Sequence, residues 1–414
     1  MEKRQSFALY FSAFSAMLGL GIISPLLPSF VEKFGASGLW IGVIFAGFAI
    51  SRAVFMPVVG NISDKIGRKV FVVSGLLLLS VVSFLYPLAD NTYQLTVVRL
   101  IHGIGAAMVL PIIMAYAGEF AEEGKEGASM GPVAMVFYMG MAAGPLLGGV
   151  LHHTLGFNAV FYGAGLLSAV AFLAALVLLP KEKKVRRTQT TTTKKIETTE
   201  EVVGLRQLLK YSIVKTSLLT RFIVALRAAV IMSFLPLLAL GIGMNASQLG
   251  IVVSIGLFFA GILEPSFGRL SDRLDVRKKP YQELTGLFVG TVALLVIPFC
   301  PNLVTLLLAS SFVGIGAALS MSVAISDSVL IGKKAGMGHW MGIFNTTGSL
   351  GIIIAPLVSG IVLDHLGIDP VFYVAGIVSL LGSLLYCYYV RSGRLATELG
   401  SNFARSWPTT RKGS

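Results

Sequence analysis

GNISDKIGRK, residues 60–69, and GRLSDRLDVRK, residues 268–278, are two versions of one pattern: a glycine, three residues, an aspartate, then lysine and arginine within a few positions. Each closes a long apolar run, residues 39–60 in the first case and 247–267 in the second. A bilayer core about 30 Å thick needs roughly 20 apolar residues per spanning helix. Each motif therefore stands where a spanning helix would leave the membrane, and because Lys and Arg gather in cytoplasmic loops both turns are expected on that side.

Outward from these turns the same texture continues. Hydrophobic residues make up 55% of the 414 positions and charged ones 13%, a balance that a water-soluble fold could hold only by exposing large apolar patches. The 46 glycines fit helices that pack closely in lipid. Approximate spans fall at 7–30, 39–60, 70–89, 94–118, 130–151, 157–179, 216–240, 247–267, 284–300, 303–330, 338–363 and 370–390. The run from Phe7 is too long for the core of a signal peptide and reads as a first spanning helix. The expected fold is an all-α membrane protein: a six-helix bundle over 1–179, a basic cytoplasmic linker over 180–215, a second bundle over 216–390 and a cytoplasmic tail over 391–414. Near Leu205 to Tyr211 the linker has room for a short interfacial helix. With both termini inside, Lys65, Arg68, Lys69, Arg269, Arg273, Lys333 and Lys334 are cytoplasmic, while Lys33 lies in an outer loop. The net charge of +13 thus reports orientation, and no basic patch is interleaved with stacking aromatics, so nucleic acid is not an expected partner.

The halves repeat each other. Gly35, Gly42, Pro57, Gly60 and Asp64 map onto Gly243, Gly250, Pro265, Gly268 and Asp272 at one offset, and "GIGAA" occurs from Gly103 and again from Gly314. Gly131, Gly140, Pro145 and Gly149 meet Gly342, Gly351, Pro356 and Gly360. A repeated six-plus-six chain is the mark of a transporter whose halves rock about a central site.

The element from Gly60 to Lys69, with Asp64, Lys65, Gly67 and Arg68, resembles the cytoplasmic signature of the major facilitator superfamily. Physically, Gly60 permits close helix approach, Asp64 can cap or pair at a helix end, and the cations hold the segment at an anionic leaflet. The resemblance implies more, a latch of charge pairs that holds the outward-facing state. The second copy keeps Gly268, Asp272 and Arg273 but has Asp275 and Val276 in place of glycine and arginine, which weakens it. Glu119 and Asp327, near the ends of the fourth and tenth spans, are candidate acidic partners or ordinary helix-end charges. In the fourth span, "RLIHGIGAA" from Arg99 resembles an element that the family associates with proton coupling, with His102 in place of a glutamine. An arginine there costs about 2.5 kcal/mol or more on insertion scales and must face water or the bundle interior. His102 reads as a coupling residue or as a packing residue with a hydrogen bond. From Gly131 the fifth span reads G-x8-G-x3-G-P-x2-G-G through Gly140, Gly144, Pro145, Gly148 and Gly149, similar to the antiporter motif of proton-coupled drug and metabolite exporters. The same spacing serves tight packing, since Gly140, Gly144 and Gly148 share a helix face.

Other charges fall inside spans. Arg227 stands near mid-membrane, Arg52 about 12 Å from the cytoplasmic end, and the shallower Arg221 reads as a snorkelling side chain. Glu264, beside Pro265, is a proton carrier if dry or an ion-pair partner for an arginine. Basic groups outnumber acids in the spans and the first span has no acid, which favours an anionic or neutral amphipathic solute with Arg52 and Arg227 as counter-charges. The resemblance covers about residues 7–390 and implies a secondary active exporter: a small-molecule substrate, protons, the lipid bilayer, a usual monomeric state and the cytoplasmic membrane. No nucleotide-binding G-x-x-x-x-G-K-S/T run occurs, and no cofactor is expected. Import or uniport is the rival transport reading. A non-transporting sensor or enzyme is disfavoured, because the five histidines and two cysteines form no nucleophile or metal cluster and no soluble domain is appended.

Overall fold

The computed structural model describes residues 3–119, 126–179, 205–275, 277–335 and 337–391. Among them twelve helical spans are long and apolar enough to cross a membrane: α1 Phe7–Glu32, α2 Gly38–Gly60, α3 Arg68–Leu88, α4 Thr92–Ile113, α5 Met135–Leu155, α6 Phe157–Leu178, α7 Ser212–Gly241, α8 Ala246–Ser271, α9 Lys279–Phe299, α10 Leu303–Gly332, α11 Trp340–Leu366 and α12 Ile368–Arg391. No strand occurs among the described residues. At three prolines, each lacking a backbone donor, the helix tightens into a 3-10 turn: Pro25 within α1, Pro87 closing α3 and Pro298 closing α9. The expected linker falls mostly outside the described residues, as does the tail beyond Arg391; the short helix Leu205–Leu208 leads into α7.

The two halves pack by the same rule. In the first, α1 lies on α5 and α6, α4 on α2 and α3, and α3 on α6; in the second, α7 lies on α11 and α12, α10 on α8 and α9, and α9 on α12. Leu166, Leu173, Val97, Leu308 and Leu381 are each more than half exposed on the outside of this arrangement, the apolar surface that lipid covers.

The spans end alternately at a basic end, which carries residues 60–69 and 268–278, and at a far end. The halves meet through two seams, α5 on α8 and α2 on α11. At the far end these seams are main chain against main chain. A Cβ added to Gly38 would lie 2.7 Å from the Gly360 carbonyl oxygen, one on Gly42 2.9 Å from Leu357 Cα, and one on Gly250 3.1 Å from the Pro145 carbonyl carbon. These are repeat-related positions, so one small-residue device is used twice. At the basic end, Gly60 and Gly268 have nothing within 4 Å of an added Cβ, so the glycine-to-main-chain contact of the far seams is not repeated at these two positions.

The seams differ in how their helices begin. At the start of α8, Asn245 accepts from the Gln248 backbone and Gln248 returns the bond, a complete capping box. Ser37 makes no such bond at the start of α2. Instead Asp364, from α11 in the other half, accepts from the Gly38 and Leu39 backbone N–H groups at 2.5 and 2.9 Å. The turn between α2 and α3 needs Gly67, whose φ is +111°. Asp275 stands there in the second copy and makes a different turn, its carbonyl accepting from Lys278 N–H at 2.7 Å.

Candidate functional site

A cavity of about 210 Å³ lies between the halves, walled by Phe45, Phe48, Met141, Met232 and Leu257, with Ser24 and Ser310 as small polar groups. Three guanidinium groups, Arg52, Arg99 and Arg227, reach its wall, and no carboxylate does among the described residues. Burying this much cationic character without an acid costs energy unless something else neutralises it.

Arg99 enters α4 at its second turn and is 1% exposed. Phe45 and Phe48 of α2 present their ring faces to it, their ring centres 5.1 and 5.3 Å from the guanidinium carbon. Its Nε and Nη1 have no hydrogen-bond partner. His102, one turn on, is 4% exposed and does not reach the cavity; its Nδ1 shares a 2.8 Å hydrogen bond with the Tyr86 hydroxyl, and Tyr86 also faces Arg99. Tyr86, stacked on Phe161, is the member of this group that the sequence did not flag.

Arg227 is likewise 1% exposed. Its Nη1 donates to the Leu287 carbonyl of α9 at 3.0 Å, while Nη2 has no partner. The guanidinium fits because α9 has Gly290 opposite, where an added Cβ would lie 2.8 Å from Arg227 Cζ. The Arg99 and Arg227 groups are therefore held by their helices with donor capacity left over, a geometry that suits an incoming anion.

Nearer the basic end a second group bridges the halves. Tyr138 of α5 hydrogen-bonds Glu264 of α8, Arg221 of α7 faces both, and Arg52 of α2 faces Arg221. Arg221 also donates to Asn345 at 3.4 Å and lies over the Phe344 ring at 5.5 Å. It does not snorkel as its depth in the sequence implied: a carboxylate, an amide and an aromatic face hold it inside the protein. Glu264 is thus not an isolated acid but the carboxyl of a group with two arginines.

The glycine series of α5 faces two ways. Added Cβ atoms at Gly140 and Gly148 would meet α1 carbonyl oxygens of Phe14 and Ile22, each at 2.7 Å, and one at Gly144 would meet Gly21 Cα at 2.5 Å. Gly149 and Pro145 turn instead to α8 and form the far seam. In the basic-end signature, Lys69 Nζ donates to the carbonyls of Leu176, at 2.8 Å, and Leu179, so it closes the last turn of α6. Arg68 opens α3 and Arg273 is exposed. The side chains of Asp64, Lys65, Glu119 and Asp272, and the surroundings of Gly131, lie outside the described residues. Asp327, expected as a partner of that signature, is 3% exposed inside the second bundle beside Glu283, which the sequence reading passed over. Among the described residues no group of His, Cys, Asp and Glu is arranged to hold a metal ion.

A family model described as Major Facilitator Superfamily matches residues 9–326 and 217–407. The uncharacterized MFS-type transporter MJ1560 of Methanocaldococcus jannaschii is 26% identical over 383 residues, which cover 92% of this chain and 97% of that protein. The quinolone resistance protein NorA of Staphylococcus aureus is 26% identical over 389 residues, covering 92% and 95%. The crystal structure of a bacterial homolog of the human lysosomal transporter Spinster, inward-facing and unoccupied, superposes with a TM-score of 0.74 at 16% identity over 96% of this chain and 94% of that one, a likeness of fold.

Proposed function

The chain belongs to the major facilitator superfamily, and from that premise we propose that it exports a small organic solute from the cell by proton-coupled antiport and alternating access. The carrying observation is the central cavity, apolar in its walls, with Arg52, Arg99 and Arg227 at its surface and no acid beside them. Such a site favours an amphipathic anion or a neutral amphipath with a strong acceptor, and disfavours a lipophilic cation. The glycine motif of α5, complete in this sequence, and the NorA relatives, named for quinolone resistance, support export. A quinolone carries a carboxylate on an aromatic body, which fits the same walls.

In this reading the basic end is cytoplasmic, both termini lie inside, and the protein works as a monomer in the cytoplasmic membrane. The far seams close the outer side, and the signature around Gly60 to Lys69, with Glu119 as partner, latches the inner side when the halves rock. Arg99 with His102, and Glu264 with Tyr138, are coupling candidates, because each sets a proton-bearing group beside an arginine that a solute would neutralise.

The test is reconstitution of the full chain into vesicles loaded with a pH dye, with norfloxacin, ethidium and a nucleoside offered in turn. Norfloxacin movement against its gradient, driven by an imposed pH difference and lost in Arg227→Gln, is the expected result. Norfloxacin flux indifferent to the pH difference would move the protein to import or uniport, and accumulation of ethidium alone would overturn the anionic site.

A further inference from the structure

We propose that Glu283 and Asp327 together form a proton-binding site inside the second bundle, one helical turn from the carbonyl that holds Arg227 of the central cavity. The inference rests on the proton-coupled reading only for its consequence in transport; the site itself stands on geometry.

Four helices aim polar groups at one buried point. Glu283 of α9 is 1% exposed and Asp327 of α10 is 3% exposed, and each is the other's charged neighbour. Tyr386 of α12 donates its hydroxyl proton to Glu283 Oε2 at 2.6 Å. Thr220 of α7 is fully buried and turns its hydroxyl toward Glu283. Glu283 Oε1 and Asp327 Oδ1 are without partners. A buried carboxylate oxygen needs a partner more than a buried hydroxyl does, and a bound proton would give these two acids a donor.

The neighbouring charges do not fill that vacancy. Lys279, one turn before Glu283 on α9, faces Asp327 and is partly exposed. Lys215 on α7 is placed over the Tyr389 ring, 5.3 Å from its centre. Gln282 directs its amide to the Phe267 carbonyl and the Ser322 hydroxyl, at 3.2 and 3.1 Å, away from the pair. Two carboxylates against one lysine leave a net negative charge in a dry interior, and one bound proton balances it. The pair therefore titrates as a unit.

The site is linked to the cavity through Arg227 of α7. Leu287 follows Glu283 by one turn, about 6 Å along the axis, and its carbonyl accepts from Arg227, which lines the cavity. A solute anion that draws the free Nη2 of Arg227 toward itself pulls on the bond that Nη1 makes to the Leu287 carbonyl, and so on the turn of α9 that carries Glu283. When the proton leaves, the O–H bond of one carboxyl breaks and the proton passes to water from the basic end, where Lys279 is partly exposed; both carboxylates are then ionised, opposed by Lys279. Loading is the reverse.

The experiment uses the full-length protein in two arms. Infrared difference spectra across a pH step, in water and in heavy water, should show a buried carboxyl C=O band that is lost in both Glu283→Gln and Asp327→Asn and displaced in Tyr386→Phe. A band unchanged in both carboxamide variants overturns the proposal. If either variant fails to fold, Glu283→Asp and Asp327→Glu keep the acid and should shift the band; an unshifted band is again a refutation. In vesicles, pH-driven norfloxacin accumulation should fall roughly tenfold or more, the range of coupling between linked sites, while norfloxacin exchange without a gradient persists. Equal loss of both would reduce the pair to a structural role. A wild-type protein that shows the band but no pH-driven transport would sink the antiport reading and leave the site standing.

Discussion

Replacing Asp364 by alanine removes a helix cap that one half of the molecule supplies to the other. Both oxygens of Asp364 bond the first N–H groups of α2, and Ser37 offers no substitute. Losing an N-cap costs about 0.5–2 kcal/mol. Asp364 is exposed and its charge is screened, so about 1 kcal/mol is the appropriate figure. The bonds exist only while the far seam is closed, so the whole loss falls on that state, and the ratio of far-open to far-closed molecules should rise about fivefold. Spin labels at Leu88 and Phe299, exposed at the far ends of α3 and α9, report this ratio by pulsed dipolar distances once Cys300 and Cys387 are replaced. Giving α2 its own cap with Ser37→Asn, as Asn245 serves α8, should make the open ratio insensitive to Asp364→Ala. An Asp364→Ala distance distribution that matches wild type would refute the idea that this carboxylate holds the halves together.

Gly250→Val should also open the far seam, because the new side chain meets the Pro145 carbonyl carbon at 3.1 Å and overpacking costs about 1–3 kcal/mol; Gly241→Ala, with nothing within 4 Å, should leave the same label distances unchanged. Arg227→Gln should weaken norfloxacin binding by about tenfold or more, from the roughly 1.5–3 kcal/mol of a hydrogen bond to a charged group, with ethidium unaffected in the same fluorescence titration. Lys69→Gln should lower the thermal midpoint in detergent by a few degrees at most, since capping the end of α6 is worth about 0.3–1 kcal/mol; a midpoint unchanged by Lys69→Gln would mean that the lysine serves the lipid headgroups instead.

The fold was legible because its causes are periodic. Twelve apolar runs and the matched series from Gly35 and Gly243 needed no contact to be seen, and the spans end within a few residues of the expected positions. The arginines were legible for a different reason: a guanidinium in a span is expensive enough to demand an interior, and Arg99 and Arg227 have one. What stayed hidden depends on rotation about a helix axis. Glu283 lies only a turn beyond Lys278 and Lys279, so in sequence it passes for a helix-end charge; only the packing of α7, α10 and α12 turns it inward. Tyr86 and Tyr138 were hidden for the same reason, since an aromatic residue in an apolar run declares nothing about where its hydroxyl goes. Arg221 was misjudged because depth alone was weighed and its neighbours Asn345 and Glu264 come from distant spans.

The main-chain seams at the far end carry an electrical consequence. A membrane potential does about 2.3 kcal/mol of work per elementary charge per 100 mV, and that drop must fall across whatever closes the cavity. Peptide groups of Gly38 meet Gly360 there, and those of Gly149 meet Ala246, so at these points main chain rather than polar side chains faces the closure. The glycines are then insulation as well as hinges of close approach. Substitutions there would first be felt as a leak of current through a resting protein, before any solute had been carried the wrong way.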